Sequence, residues 1–312
     1  MNKRIIQGLI FTALFCLLSC GQKEKEYQLR EFQAISLLGD SLKIPQRSES
    51  QLGSLMSNLN EAKANFEAEP SEMNYIWLGR RYAYLSDYLK AIEVFTEGLE
   101  KYPNSHKLFR HRGHRYVSLR QFDKAIQDFK KAHELMPKNV MDIEPDGAPN
   151  KLNIPLSNTQ FNILYHYGLA HYLKGEFDLA EDIYKECMDY SDNPDLVVAT
   201  ADWLYMTLKR QGKNEEATEL LESITADMEI IENDSYLKRL LMYKGEMPVE
   251  ELFKTDNDDV ALSLATQGYG VANWYLYNGD TAKAKEILDQ VLAGTSWAAF
   301  GYIAAEADME RL

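Results

Sequence analysis

Apolar positions along most of this chain return at intervals of three and four residues, the spacing that lines one face of an α-helix, and the helical stretches come in pairs. Two segments align at a separation of 34 residues. The first carries Tyr75, Leu78, Gly79, Tyr82, Ala91, Phe95, Gly98 and Pro103; the second carries Phe109, Arg112, Gly113, Tyr116, Ala125, Phe129, Ala132 and Pro137. Seven of these eight pairs agree in type. The logic is that of a helical hairpin. Gly79 or Gly113 lets two helices approach, Ala91 or Ala125 keeps the crossing tight, and the aromatic residues fill the space between. One hairpin buries only part of its face, so neighbours must stack to bury the rest. Pro103 and Pro137 end the second helices, because proline lacks a donor and its ring collides with the preceding turn.

Further units follow with looser agreement. Leu164, Tyr167, Gly168, His171, the turn Gly175-Glu176-Phe177-Asp178, then Ala180, Tyr184 and Cys187 form a third. Trp203 to Ile224 keeps Gly212 and Ala217 but places Tyr205 where the first helix had glycine. Tyr236 to Phe253 reads as a shortened pair around Gly245 and Pro248, and Ala265 to Leu292 as a last clear unit with Gly279, Ala284 and Leu288. Trp297 to Leu312 is a final amphipathic helix, with Trp297, Phe300, Ile303 and Ala304 on one face and Glu306, Asp308, Glu310 and Arg311 polar. It reads as a solvating cap. Ahead of the repeats, Ala34 to Ile44 reads as a small turn or hairpin around Gly39-Asp40, and Gln51 to Ala68 as a helix on the first repeat.

The order of large residue, leucine, glycine, tyrosine, then alanine, phenylalanine, alanine and proline resembles the tetratricopeptide repeat, whose period is 34 residues. The expected fold is all-α, a tetratricopeptide-type helical-hairpin solenoid of about five to six helix pairs, some degenerate, ending in a capping helix. The division expected is 1–19 leader, 20–45 tether and short turn segment, 46–137 N-terminal helix and first two repeats, 138–158 insertion, and 159–312 remaining repeats and cap. The stretches Trp77-Leu78-Gly79-Arg80-Arg81, Arg110 to Tyr116, Glu144-Pro145-Asp146-Gly147 and Ala299 to Glu306 are similar to a family of bacterial tetratricopeptide lipoproteins. That resemblance implies the fold and no activity.

The first residues differ in kind. Lys3 and Arg4 precede a short apolar run, Ile5 to Leu18, closed by Leu17-Leu18-Ser19-Cys20-Gly21. Fourteen residues fall short of the ~20 that a spanning helix needs, so the run reads as a cleaved leader. In the bacterial lipoprotein pattern that this resembles, Cys20 is lipidated, cleavage precedes it, and the acyl chains hold the protein to a bilayer. With Cys16 removed and Cys20 acylated, Cys187 alone remains in the body, at a position that suits a small buried side chain. Absence of aspartate after Cys20 resembles sorting to an outer membrane, and Lys23-Glu24-Lys25-Glu26 resembles surface-export signals of Bacteroidota lipoproteins.

Charge narrows the partners. The formal net charge is −14, which disfavours nucleic acid. Yet Tyr75 to Lys131 carries 12 Lys or Arg against 6 Asp or Glu, a basic island in an acidic chain. No G-x-S-x-G, H-E-x-x-H, C-x-x-C or P-loop is present, and Gly268-Tyr269-Gly270 lacks the strand and third glycine of a dinucleotide site. Catalytic residues, cofactor and metal are all expected to be none. Asp142 to Gly147 resembles the opening of a calcium loop, but Glu144 stands at its third position and Asn153 at its twelfth, so it reads as an acidic turn. His106, His111 and His114 sit among Arg110, Arg112 and Arg115, which repel a cation.

In the resembled family, the first helices line a concave groove for peptides. Matched by position, the groove residues are Trp77, Arg80, Tyr84, Lys107, Arg110, His114, Tyr165 and His166, a basic and aromatic set suited to an acidic protein or peptide partner. The family's carboxylate clamp does not transfer, since its places hold Ile76, Arg80 and His111. The alternative is that the basic face pairs with acidic residues of the same chain. Binding scaffold is the expected class; a glycan or small-ligand module and an enzyme with an unrecognised site are the alternatives. The insertion, Lys138 to Asn158, carries Pro145, Pro149 and Pro155 and exceeds the ~2 to 8 residues usual between stacked helices. It is expected to fold over a groove edge.

Overall fold

The structure, a computed structural model, describes residues 28–147, 149–253 and 260–312, so Cys20 and the leader lie outside the described residues. A short antiparallel hairpin comes first, β1 (Phe32–Ile35) and β2 (Ser41–Lys43). It turns at Gly39, whose φ of 92° lies in the left-handed region, while the Ser36 hydroxyl accepts from the Leu38 and Asp40 N–H groups. The helix α1 (Glu49–Ala68) starts with a reciprocal cap between Ser48 and Gln51, which satisfies two donors that a helix start leaves open.

Paired helices follow: α2 (Glu72–Tyr84) with α3 (Tyr88–Lys101), α4 (His106–Ser118) with α5 (Phe122–Leu135), α6 (Thr159–Leu173) with α7 (Phe177–Met188), and α8 (Pro194–Arg210) with α9 (Asn214–Glu222). Next come α10 (Asp234–Lys244), with the single turn α11 (Val249–Leu252), then α12 (Val260–Tyr277) with α13 (Thr281–Leu292). Each hairpin packs on the next, as a solenoid requires. The small residues are used as the pattern implied. A Cβ at Gly79 would lie 2.2 Å from the Phe95 ring, and Gly113 with Phe129 and Gly168 with Tyr184 repeat that contact. Among the described residues the fold is all-α apart from this hairpin and an isolated bridge between Ile143 and Asn158.

The turns within hairpins need one residue in the left-handed conformation. Gly175, Gly212 and Gly279 supply it in the later units, but Ser86 (φ 63°) and Arg120 (φ 61°) supply it in the first two. A side chain there costs about 1 kcal/mol or more, and both side chains are held: the Ser86 hydroxyl accepts from Arg47 at 2.7 Å, and Arg120 is clamped by the far end of the chain.

That clamp changes the reading of the last helix, α14 (Phe300–Arg311). Its acidic residues were expected to face water as a solvating cap. Instead Glu306 and Asp308 are each 1% exposed. Arg120 donates to both Glu306 oxygens, at 2.6 and 2.9 Å, and to the Trp297 carbonyl at 2.8 Å. Glu306 also accepts from the Leu37 N–H, and the Trp297 indole donates to the Lys43 carbonyl at 2.7 Å. Asp308 is met by Arg210, by Arg311 at 2.7 Å and by the Tyr269 hydroxyl at 3.0 Å. A Cβ at Gly301 would stand 2.1 Å from the Ala265 carbonyl oxygen, so only glycine lets α14 lie this close to α12. The helix thus crosses the inside of the solenoid, touching α6, α12 and α13.

Replacing Glu306 by alanine leaves Arg120 buried without its partner and frees the Leu37 N–H. The expected loss is about 3–5 kcal/mol in urea unfolding, with faster amide exchange over Phe32–Lys43. A loss under about 1 kcal/mol would show that the pair holds nothing together.

Candidate functional site

The residues that were to line the groove fall into two groups. Trp77, Arg80 and Tyr84 lie on α2, and Lys107 and Arg110 on α4. Arg80 stacks on Trp77, its guanidinium carbon 4.4 Å from the ring centre, and donates to the Tyr84 hydroxyl at 3.0 Å. What it faces is the insertion. Arg80 donates to the Pro145 carbonyl at 2.7 Å, Lys107 pairs with Asp142 at 2.8 Å, and Arg110 pairs with Glu144 at 3.1 Å. Glu144 also accepts from Asn162. The insertion's own backbone is tied down by Glu144 N–H to the Ser157 carbonyl and Thr159 N–H to the Asp142 carbonyl. A Cβ at Gly147 would meet the Tyr84 hydroxyl at 1.8 Å, so the segment lies flat against α2. Only about 10 Å³ remains open between Arg80, Lys107, His111, Glu144 and Pro145.

The open basic groove is therefore corrected in this half: Arg110 is buried, and the positive charge is met by Asp142 and Glu144 of the same chain. The same pairs settle the calcium-like turn, whose carboxylates spread onto α4 and do not converge. Among the described residues, no three His, Cys, Asp or Glu side chains group closely enough to hold a metal ion.

The second group, His114, Tyr165 and His166, lies deeper. Tyr165 and His166 are buried, which again departs from an open groove, and the cover is Phe300 at the start of α14. The rings of His114 and His166 are 4.2 Å apart, and Phe300 lies 5.3 and 5.4 Å from them. The Tyr165 hydroxyl accepts from the Trp203 indole at 2.7 Å and shares a hydrogen bond with the Tyr236 hydroxyl at 2.8 Å. His166 Nδ1 donates to the Asn162 carbonyl at 2.5 Å.

Residues 161–194, which span α6 and α7, match the family model described as a tetratricopeptide repeat. No curated protein matches the chain in sequence. Solved structures of helical-repeat proteins align with the chain. A tetratricopeptide repeat protein from Parabacteroides merdae is 13% identical over 83% of this chain and 94% of its own, with a TM-score of 0.48. YrrB, described as a tetratricopeptide protein with an unusual peptide-binding site, is 15% identical over 80% of this chain and 97% of its own, with a TM-score of 0.41. Yeast Tom70 is 16% identical over 81% of this chain and half of its own, with a TM-score of 0.41.

Between the helical hairpins and α14 lies a cavity of about 370 Å³ that the sequence did not reveal. Arg115, Trp203, Tyr236 and Arg239 line it, with Tyr84 and His114 at its edge on the α2 and α4 side. Arg239 stands next to Lys238 in the sequence, and nothing there set it apart; it pairs with buried Asp202 and donates to the Thr266 carbonyl at 2.7 Å. Arg115 carried no separate signal within the basic run.

Burial, and next to it the neighbouring arginines, holds His111, His114 and His166 well below the ordinary histidine value of 6.5. The unfolded chain takes up protons from about pH 6.5 downward while these three in the folded chain do not, so stability is full above that pH and falls as pH drops through it. The slope reaches up to about 4 kcal/mol per pH unit if all three titrate together. Urea midpoints that stay flat down to about pH 5 would show that the three take up protons as freely in the folded state.

Proposed function

We propose that this chain is a membrane-anchored tetratricopeptide lipoprotein of the cell envelope that acts as a scaffold, holding a partner protein on the outer face of its insertion. One observation carries the reading: the insertion is clamped to α2 and α4 by its acidic side while Val140, Met141, Ile143, Leu152 and Ile154 all stand exposed on it. Single apolar residues at a surface mean little, but five close in sequence on a rigidly held segment mark a contact surface. The ion pairs are what make it rigid, so the partner meets a surface already ordered and the entropy of ordering it is not lost on binding. Lys107 and Arg110 are paired inside the chain, and acidity is not required of the partner.

Anchoring rests on the leader pattern and Cys20. No helix among the described residues is long and apolar enough to cross a membrane; in this reading the acyl chains are the attachment and the outer membrane is its place. Changing Cys20 to serine is expected to move the protein from the membrane to the soluble fraction and to abolish labelling by a fatty-acid probe; continued labelling would refute the anchor.

The scaffold is tested by crosslinked capture from the native envelope, comparing the parent with Val140→Glu, Ile143→Glu and Leu152→Glu combined. These side chains are 70%, 62% and 61% exposed, so each change should alter stability by no more than about 0.5 kcal/mol. A specific partner held by the parent and lost from the folded variant supports the surface. The same partner held by both places the interface elsewhere.

A further inference from the structure

We propose that the central cavity is a binding site for a small anionic molecule, one carboxylate or phosphate group on a flat apolar body. This site is separate from the insertion face and does not depend on it. Three features converge on the same space.

The first is Arg115. Its half-buried side chain borders the cavity, its guanidinium lies over the Tyr88 ring at 5.1 Å, and it has no hydrogen bond or ion pair among the described residues. The nearby charged groups that act on it are other arginines, Arg110 and Arg80, and partial burial depresses its pKa to about 10. An anion entering the cavity supplies the counter-charge that the protein does not.

The second is the start of α14. Ala298, Ala299, Phe300 and Gly301 border the cavity. The N-cap is Ala299, whose side chain accepts nothing, and the first helical bond runs from the Ile303 N–H to the Ala299 carbonyl. The N–H groups of Phe300, Gly301 and Tyr302 precede that bond and have no acceptor in the helix. They form the positive end of a twelve-residue helix, where an oxyanion is favoured.

The third is the lining. Arg239 borders the space and is 1% exposed, and its buried Nε has no partner. No carboxylate is among the described residues that line the space; Asp202 engages the other side of the Arg239 guanidinium. Trp203, Tyr236 and Phe300 supply flat apolar walls, and about 370 Å³ suits a small molecule. A neutral sugar would leave Arg115 unpaired, which is why the acid group defines the ligand.

Thermal unfolding of the purified chain with phenyl phosphate, phenylacetate and, as the uncharged analogue, 2-phenylethanol tests this. At saturation, one or both anions should raise the Tm by about 3 °C or more and the alcohol should not; the larger of the two shifts names the preferred acid group. Arg115→Gln should abolish the shift without lowering the ligand-free Tm, because it removes an unpaired cation. Should that variant fail to fold, Ala299→Asp provides a second reading: its carboxylate caps α14 from within, and it too should abolish the shift. No shift with either anion, an equal shift with the alcohol, or a full shift in a folded variant would overturn the proposal.

Discussion

The buried pair between Arg120 and Glu306 is the contact on which this architecture turns. A stack of helical hairpins buries each unit against its neighbours and leaves the concave side open. Here residues 186 apart in sequence meet across that opening, and the pair also collects the Leu37 N–H and, through Arg120, the Trp297 carbonyl. Taking two charges from water costs several kcal/mol per ion unless every lone pair and donor is met, and at Glu306 they are met. Arg120 also holds the left-handed position of its hairpin turn. The hairpin β1–β2, the second repeat and α14 are fastened at one point.

Two elements fill the concave side, and both do it with carboxylates presented to basic side chains. The insertion brings Asp142 and Glu144 to Lys107 and Arg110; α14 brings Glu306 and Asp308 to Arg120 and Arg210. What in an open solenoid would be a groove becomes interior. The partner surface proposed above is the exposed apolar set on the insertion, and beside α14 a cavity remains that the insertion does not line. Tyr84 touches the insertion near Gly147 and borders the cavity.

The repeat architecture was readable from the residues because its contacts are local. Gly79 against Phe95 and Gly113 against Phe129 join helices a few residues apart in the same hairpin, so a 34-residue spacing of small and large residues already encodes the crossing. The basic run on α4 and the acidic run in the insertion were equally visible, and pairing within the chain was one of the two readings they allowed. The choice between partner and self was not visible, since charge sign says what attracts and distance says what is reached. Glu306 and Asp308 show the same limit. A polar residue on one face of a helix looks the same in sequence whether it meets water or a buried guanidinium.

The sequence by itself determined the helices, their pairing and the order of stacking, because helical periodicity and close-packed small residues act between neighbours along the chain. Only the tertiary structure decided that the groove is occupied, that the last helix lies inside, and that Arg115 faces a cavity with no counter-charge. Those outcomes depend on which distant charges meet once the stack curves, and burial then multiplies the value of each such meeting.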